Sequence, residues 1–310
     1  MSKIRWLRFN KADLAISDKA FVLFNIELTN RCPFKCVMCA RTHSMTRAQG
    51  DMTFDMFSRA IDEYAAVNPS HAQNNILWLH GFGESTVHPR LAEFMAYATR
   101  KHVKTGLSVN PLMLTPVIGQ ELLSAGPATL YLSLDGHDND SFETIRGLPA
   151  AYEKSKERLF EFLKLKRQMG SATHIVLSMI NFDLNKASIE AMEAEWRHVE
   201  GIDQVLIKPF TTWDGSVPNV TALKKTAGAV VRGPKILCRR PFEVMSLCWN
   251  GNVTPCCYDF DEKVILGNIG QKSLADIWND LPMQNLRREF LNNNVLNPLC
   301  RLCPDLYGTG

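Results

Sequence analysis

Nine cysteines in 310 residues carry most of the chemistry this chain offers, and their spacing is uneven. Cys32, Cys36 and Cys39 fall within the stretch RCPFKCVMCA, with no fourth thiol nearby. Thiolates select iron-sulfur clusters and zinc, and a closed tetrahedral site takes four ligands. A cluster held by three thiolates keeps one iron open to a chelating small molecule. The other six, Cys238, Cys248, Cys256, Cys257, Cys300 and Cys303, crowd between residues 238 and 310. A terminal CxxC with two distant thiols suits either a fully ligated cluster or a zinc ribbon.

These thiols need a scaffold, and composition says what kind. The chain is 45% hydrophobic and 22% charged, the balance of a compact globular protein. No run of about 18 apolar residues occurs, and the basic N-terminus lacks an apolar core with a small-residue cleavage signal. The expectation is a cytoplasmic protein with no membrane partner, where thiols stay reduced instead of pairing. A net charge of +3 is spread without a basic stripe, which argues against nucleic acid as a partner.

Short β-rich runs at 21–28, 75–80, 104–110, 129–135, 173–181 and 204–210 alternate with segments of helical apolar spacing. Six βα repeats predict a parallel sheet curved into all or part of a barrel, with chemistry at the C-terminal strand ends. Cys32 follows the first run directly. The expected organisation is an extension over 1–20, a barrel over 21–210, a Gly/Pro-rich connection over 211–237 and a cysteine-rich unit over 238–310. Asn250-Gly251 predicts a two-residue type I′ hairpin turn. That register would set Cys248 against Val253 and place Cys248 and Cys257 on the face opposite Cys256.

With CxxxCxxC after the first strand, the chain resembles the radical S-adenosylmethionine (SAM) superfamily from about residue 21 to residue 303. The fold this implies is α/β, a partial (β/α)6 TIM-like barrel. Cys238, Gly251, Cys256 and Cys300-x-x-Cys303 resemble the abbreviated SPASM domain called twitch, a β-hairpin plus helix. The resemblance implies two [4Fe-4S] clusters: one on Cys32, Cys36 and Cys39 that binds SAM, and an auxiliary one closed by Cys238, Cys256, Cys300 and Cys303.

Further motifs carry over position by position. His80-Gly81-Phe82-Gly83-Glu84-Ser85 resembles the family's GGE-type motif, which implies that Gly83 and Glu84 hold the SAM amino group; Phe82 replaces the usual first glycine. Ser108 and Asn110 stand where ribose contacts are expected. The segment SLDGHDNDSFETIRG, with Ser133, Asp135 and Arg146, resembles the one that holds the methionine carboxylate, a group a guanidinium can grip with two parallel hydrogen bonds. Met38 departs from the family, where an aromatic residue usually precedes the third cysteine and stacks near adenine; a thioether can still pack on a ring.

The implied first step is SAM cleavage to a 5′-deoxyadenosyl radical that abstracts a substrate hydrogen, with a flavodoxin- or ferredoxin-type electron donor. Cys248 has two readings, a small core residue or a thiol that returns a hydrogen atom to a substrate radical. The second makes the chain an epimerase inverting a sugar carbon of an aminoglycoside, the expectation adopted. The alternatives are a twitch-type dehydrogenase of an aminocyclitol or sugar alcohol, and a peptide maturase. A different class, an electron carrier that does not turn over SAM, has no use for the Gly83-Glu84 and Ser133–Arg146 matches. For a polycationic substrate, Asp135, Asp138, Asp214 and Asp259 are the candidate carboxylates and Trp213 a candidate sugar cover.

Overall fold

The structure is a computed structural model and describes residues 21–224 and 238–307. The expected extension over 1–20 and residues 225–237 of the expected connection lie outside the described residues. Six parallel strands, β1 (Val22–Ile26), β2 (Leu77–Trp78), β3 (Thr105–Val109), β4 (Thr129–Ser133), β5 (His174–Asn181) and β6 (Gln204–Pro209), stand side by side in chain order. Each falls inside a run read as a strand from the sequence. Among the described residues β6 pairs with β5 alone and the sheet stays open.

The interleaved helices start where local chemistry dictates. α1 (Phe54–Val67) is capped by Thr53, whose side chain accepts from Met56 N, and it buries Phe57, Ala60, Ile61 and Tyr64. α2 (Leu91–Arg100) and α3 (Pro116–Ala125) follow, α3 with Thr115 as cap, Pro116 in its first turn and Gly126 at φ +70° after its end. α4 (Asn139–Arg146) opens on an Asp138/Ser141 capping box and stops at Gly147, φ +73°. α5 (Tyr152–Gln168) and α6 (Lys186–Trp196) complete the layer.

Strand alternation sorts side chains between this helical layer and the lumen. Leu107, Val109, Leu130, Leu132, Ile175 and Leu177 are buried in the core. Between them, Ser108, Ser133 and Ser178 turn to the lumen and touch one another, Oγ to Oγ at 3.0 Å and 3.4 Å. Hydroxyls so placed line a polar interior instead of filling it.

The C-terminal segment is built onto the same sheet. β7 (Val244–Leu247) pairs in parallel with β1, and β8 (Asn252–Thr254) and β9 (Gly267–Asn268) extend the sheet antiparallel beyond it. α7 (Leu274–Asn279) and α8 (Leu281–Leu291) cover this extension, their Leu274, Ile277, Met283 and Leu286 joining the core cluster of the barrel.

The hairpin register differs from expectation. Ser246 pairs with Thr254 and Leu247 with Val253, so Cys248 faces Asn252, whose carbonyl accepts Cys248 N at 2.8 Å. Gly251 takes positive φ, +86°, whereas Asn250 does not, and Gly251 N bonds Cys248 O. The loop thus has three residues, a turn closed by a left-handed glycine, in place of the two-residue type I′ turn. A one-residue slip exchanges faces, and the hairpin does not set Cys248 opposite Cys256.

Candidate active site

Cys32, Cys36 and Cys39 lie on the loop that leaves β1 at the C-terminal edge of the sheet. Arg41 pins this loop, its Nη2 donating to Cys32 O at 3.1 Å and Phe34 O at 2.7 Å. On the other side Lys35 N and Val37 N bond the carbonyls of Arg146 and Ile145, so the loop docks on the end of α4. Burial pushes the Cys32 thiol up to about 12 and raises Cys39, because a bare thiolate here loses water and the charge of Arg41 offsets only part of that loss. Iron would supply the remaining positive charge, and the donor set fits it.

Four strand ends surround this loop. Gly83 allows the His80–Ser85 turn to close on the chain after β1: a Cβ there would stand 2.1 Å from Thr29 O. Glu84, buried, donates its amide to Arg31 O at 2.9 Å and accepts from Asn110 N, Thr86 N and Thr86 Oγ1 through its carboxylate. Asn110 Oδ1 caps the following turn, while its buried Nδ2 has no partner among the described residues. Arg146 donates to Ser133 O at 3.2 Å and to Cys36 Sγ at 3.5 Å and ion-pairs with Asp135; its buried Nε is also unpartnered. Buried donors without acceptors are costly, and two of them beside three thiols fit a ligand with acceptor oxygens, such as the ribose and carboxylate of SAM. Met38 is buried with Phe34, Cys36, Ile145 and Phe182, and its carbonyl accepts Trp213 Nε1 at 2.9 Å. Trp213 therefore braces the cysteine loop and packs on Phe82.

Cys248 sits at the C-terminal end of β7, beside the end of β1: Ile26 pairs with Leu247, and Glu27 N bonds Leu247 O at 2.8 Å. By alternation it shares a face with Ser246, whose Oγ donates to Asn25 Oδ1 at 2.6 Å while Asn25 Nδ2 donates to His80 O. That face is the lumen. The thiol is 5% exposed, and burial, together with Glu27, pushes its pKa well above the usual range. Cys257, half-buried, is outside the wall that holds Cys256.

Cys238, Cys256, Cys300 and Cys303 line one cavity in the C-terminal segment. Arg240 Nη1 donates to Cys256 Sγ at 3.0 Å, and Cys257 and this guanidinium hold the Cys256 thiol below its usual range. Among the described residues no three His, Cys, Asp or Glu side chains converge as ligands of one ion would. A [4Fe-4S] cube, whose thiolates bind separate irons, needs instead a cavity between them.

The expected substrate carboxylates are committed elsewhere. Asp135 pairs with Arg146 and accepts Ile180 N, Asp138 caps α4, Asp214 pairs with Lys263, and Asp259 accepts Lys263 N and Val264 N. Asp135, Asp214 and Asp259 are buried in these contacts, and Asp138 alone of the four is exposed. Other lumen residues escaped the sequence reading. His80 Nδ1 accepts Ser108 N at 3.1 Å, so its proton is on Nε2, and burial with nearby Lys208 lowers its pKa to about 4. Lys208, on the inward face of β6, lies 5.6 Å from the Tyr131 ring. A lysine or histidine interrupting a buried strand pattern is the signal that could have found them.

Residues 26–195 match the Radical SAM superfamily, and residues 238–304 match SPASM, an iron-sulfur cluster-binding domain. The chain belongs to the radical SAM superfamily. It is an enzyme of that class carrying a SPASM domain, and it uses SAM, a [4Fe-4S] cluster and auxiliary iron-sulfur chemistry. It is 26% identical over 317 residues to the tungsten-containing aldehyde ferredoxin oxidoreductase cofactor-modifying protein of Pyrococcus furiosus, covering 90% of this chain and 86% of that one. It is 33% identical over 197 residues to the AdoMet-dependent heme synthase of Methanosarcina barkeri, covering 56% and 55%. Among solved structures, BtrN in complex with AdoMet and 2-DOIA aligns with TM-score 0.59 at 16% identity over 89% of both chains. SuiB of Streptococcus suis bound to S-adenosylmethionine aligns with TM-score 0.62 at 15% identity over 86% of this chain and 68% of that one. No helix of the described residues is long and apolar enough to cross a membrane.

Proposed function

We propose that this enzyme inverts one carbon of a sugar, as in an aminoglycoside, with Cys248 returning the hydrogen atom. Cys32, Cys36 and Cys39 would hold the cluster that binds SAM, and Cys238, Cys256, Cys300 and Cys303 the auxiliary one. When bound, SAM and the reduced cluster would supply the 5′-deoxyadenosyl radical chemistry that removes the substrate hydrogen. Gly83 and Glu84 would position the methionine amino group, Ser133 and Arg146 its carboxylate, and Ser108 and Asn110 the ribose. At Cys248 a C–H bond then forms as the S–H bond breaks, leaving a thiyl radical. One electron from a flavodoxin- or ferredoxin-type donor and one solvent proton restore the thiol.

The observation that supports this reading is a buried thiol on the lumen face at the mouth of the barrel, where burial favours the protonated form. A core cysteine would face the helical layer with Leu247, not the polar interior with Ser246. The aminoglycoside part comes from the resemblance, so the assay runs an aminoglycoside beside an uncharged sugar alcohol. Anaerobic reaction of the reconstituted enzyme should give 5′-deoxyadenosine and a stereoinverted product of unchanged mass. Cys248→Ala should still cleave SAM but give no inversion. A ketone or aldehyde product overturns the reading in favour of a dehydrogenase.

A further inference from the structure

The hairpin that carries Cys248 is tied down by buried charge. Glu27, directly after β1, takes Arg47 Nη1 and Nη2 at 2.6 Å each and Phe82 N at 3.0 Å. Arg47 Nη1 also reaches Glu262 at 3.1 Å. The Glu27, Arg47 and Glu262 side chains are 3%, 8% and 8% exposed. Glu262 in turn accepts from Asn250 Nδ2 at 3.0 Å and Asn252 Nδ2 at 2.6 Å, the residues on either side of Gly251. It does so from φ +55°, a conformation that residues with a Cβ rarely adopt.

A buried ion pair is a poor source of stability, since apolar residues of similar volume often do as well. This network buries two carboxylates against one guanidinium, leaving surplus negative charge. Three chain segments far apart in sequence converge to make it: the end of β1, the loop after the cysteine motif, and the loop after β8. The thiol of Cys248 is their common neighbour. Glu27, Glu262 and Asp259 face it as anions and Arg47 as the cation.

We propose that Glu27, Arg47 and Glu262 are positioning residues for Cys248, their buried network setting surplus negative charge around its sulfur. The inference rests on Cys248 being the hydrogen donor. A thiolate has no hydrogen atom to return, so surplus negative charge around the sulfur serves that role directly. Burial opposes thiolate formation most, the carboxylates of Glu27, Glu262 and Asp259 add to it, and Arg47 works the other way.

The test reads the thiol itself in anaerobically reconstituted holoenzyme, without substrate. Iodoacetamide alkylation of Cys248, located by peptide fragmentation, is followed from about pH 6 to about pH 10, since the thiolate is the reactive form. Glu27→Gln and Glu262→Gln should alkylate roughly tenfold faster at neutral pH than wild type, the effect of removing one nearby charge in a partly shielded site. Arg47→Met should alkylate more slowly. Glu262→Asp, which keeps the charge, should stay near the wild-type rate. Loosening of the hairpin would accelerate all four variants alike. The proposal is overturned if the rates all rise together, if none changes, or if Glu262→Asp matches Glu262→Gln. Iron content and melting curves show which variants are folded, and the Glu262 pair decides the matter alone. Correct rate signs with no inverted product would remove only the epimerase reading; inversion with the wrong signs would remove only this one.

Discussion

Replacing Gly83 by alanine tests how the SAM side of the site is built. The new Cβ would stand 2.1 Å from Thr29 O, 2.7 Å from Thr29 C and 2.9 Å from Arg31 O, all backbone atoms. That backbone cannot move aside cheaply. Thr29 Oγ1 bonds Gly50 O at 3.0 Å, and Asn30 bonds both Ala48 O and Gly50 N, fixing it to the loop opposite. The turn carrying Gly83 must therefore shift and lose the Glu84 N to Arg31 O bond. Overpacking of this kind costs about 1–3 kcal/mol and the hydrogen bond about 1 kcal/mol, so stability should fall by about 2–4 kcal/mol. For a chain of this size that lowers Tm by roughly 3–6 °C. Because Glu84 braces Asn110, the SAM dissociation constant should also rise roughly tenfold, equivalent to about 1.4 kcal/mol. Calorimetry and equilibrium SAM binding measure the two effects. Gly126→Ala is the control: its Cβ meets nothing within 4 Å, and only φ +70° is strained, so it should cost about 1 kcal/mol and leave SAM binding unchanged. A Gly83→Ala protein with wild-type Tm and SAM affinity would refute the packing argument.

Two further outcomes follow from the charges. His80 has a folded pKa of about 4 against an ordinary 6.5, so below pH 6.5 the unfolded chain takes up a proton that the folded chain refuses. Stability from this residue is complete above pH 6.5 and is lost as pH falls toward 4, by about 3 kcal/mol in all. Denaturant titrations of wild type and His80→Asn should diverge over that window; parallel curves would contradict the neutral assignment. Arg240→Met removes the cation beside Cys256 and should make the auxiliary cluster harder to reduce. A redox titration followed by electron paramagnetic resonance should find a more negative potential, and an unshifted one would show that the guanidinium does not tune that site.

The six barrel strands were legible because each is a short β-rich run between turn signals, and alternation in Leu107-Ser108-Val109 or Leu130-Tyr131-Leu132 already separates core from lumen. The three opening cysteines were legible as a group after the first strand, and they lie on the loop that leaves β1. The hairpin register was not, because Asn-Gly suits both a two-residue turn and a three-residue loop with one left-handed glycine. Here Ile269 N bonding Gly251 O and the Trp249 ring lying against Gly50 accompany the longer loop, and both partners are distant in sequence. The same distance hid the fate of the aspartates. Asp214 finds Lys263 and Asp135 finds Ile180 N, contacts that no local pattern encodes. The Glu27–Arg47–Glu262 network is the extreme case, since Arg47 and Glu262 lie 215 residues apart.

The central claim is that Cys248 returns a hydrogen exchangeable with solvent. A reaction in deuterated water, with the product resolved by mass and nuclear magnetic resonance, tests it most directly. One deuterium at the inverted carbon is expected in wild type, and no inverted product from Cys248→Ala. Inverted product without deuterium, or inversion that persists in Cys248→Ala, would contradict it.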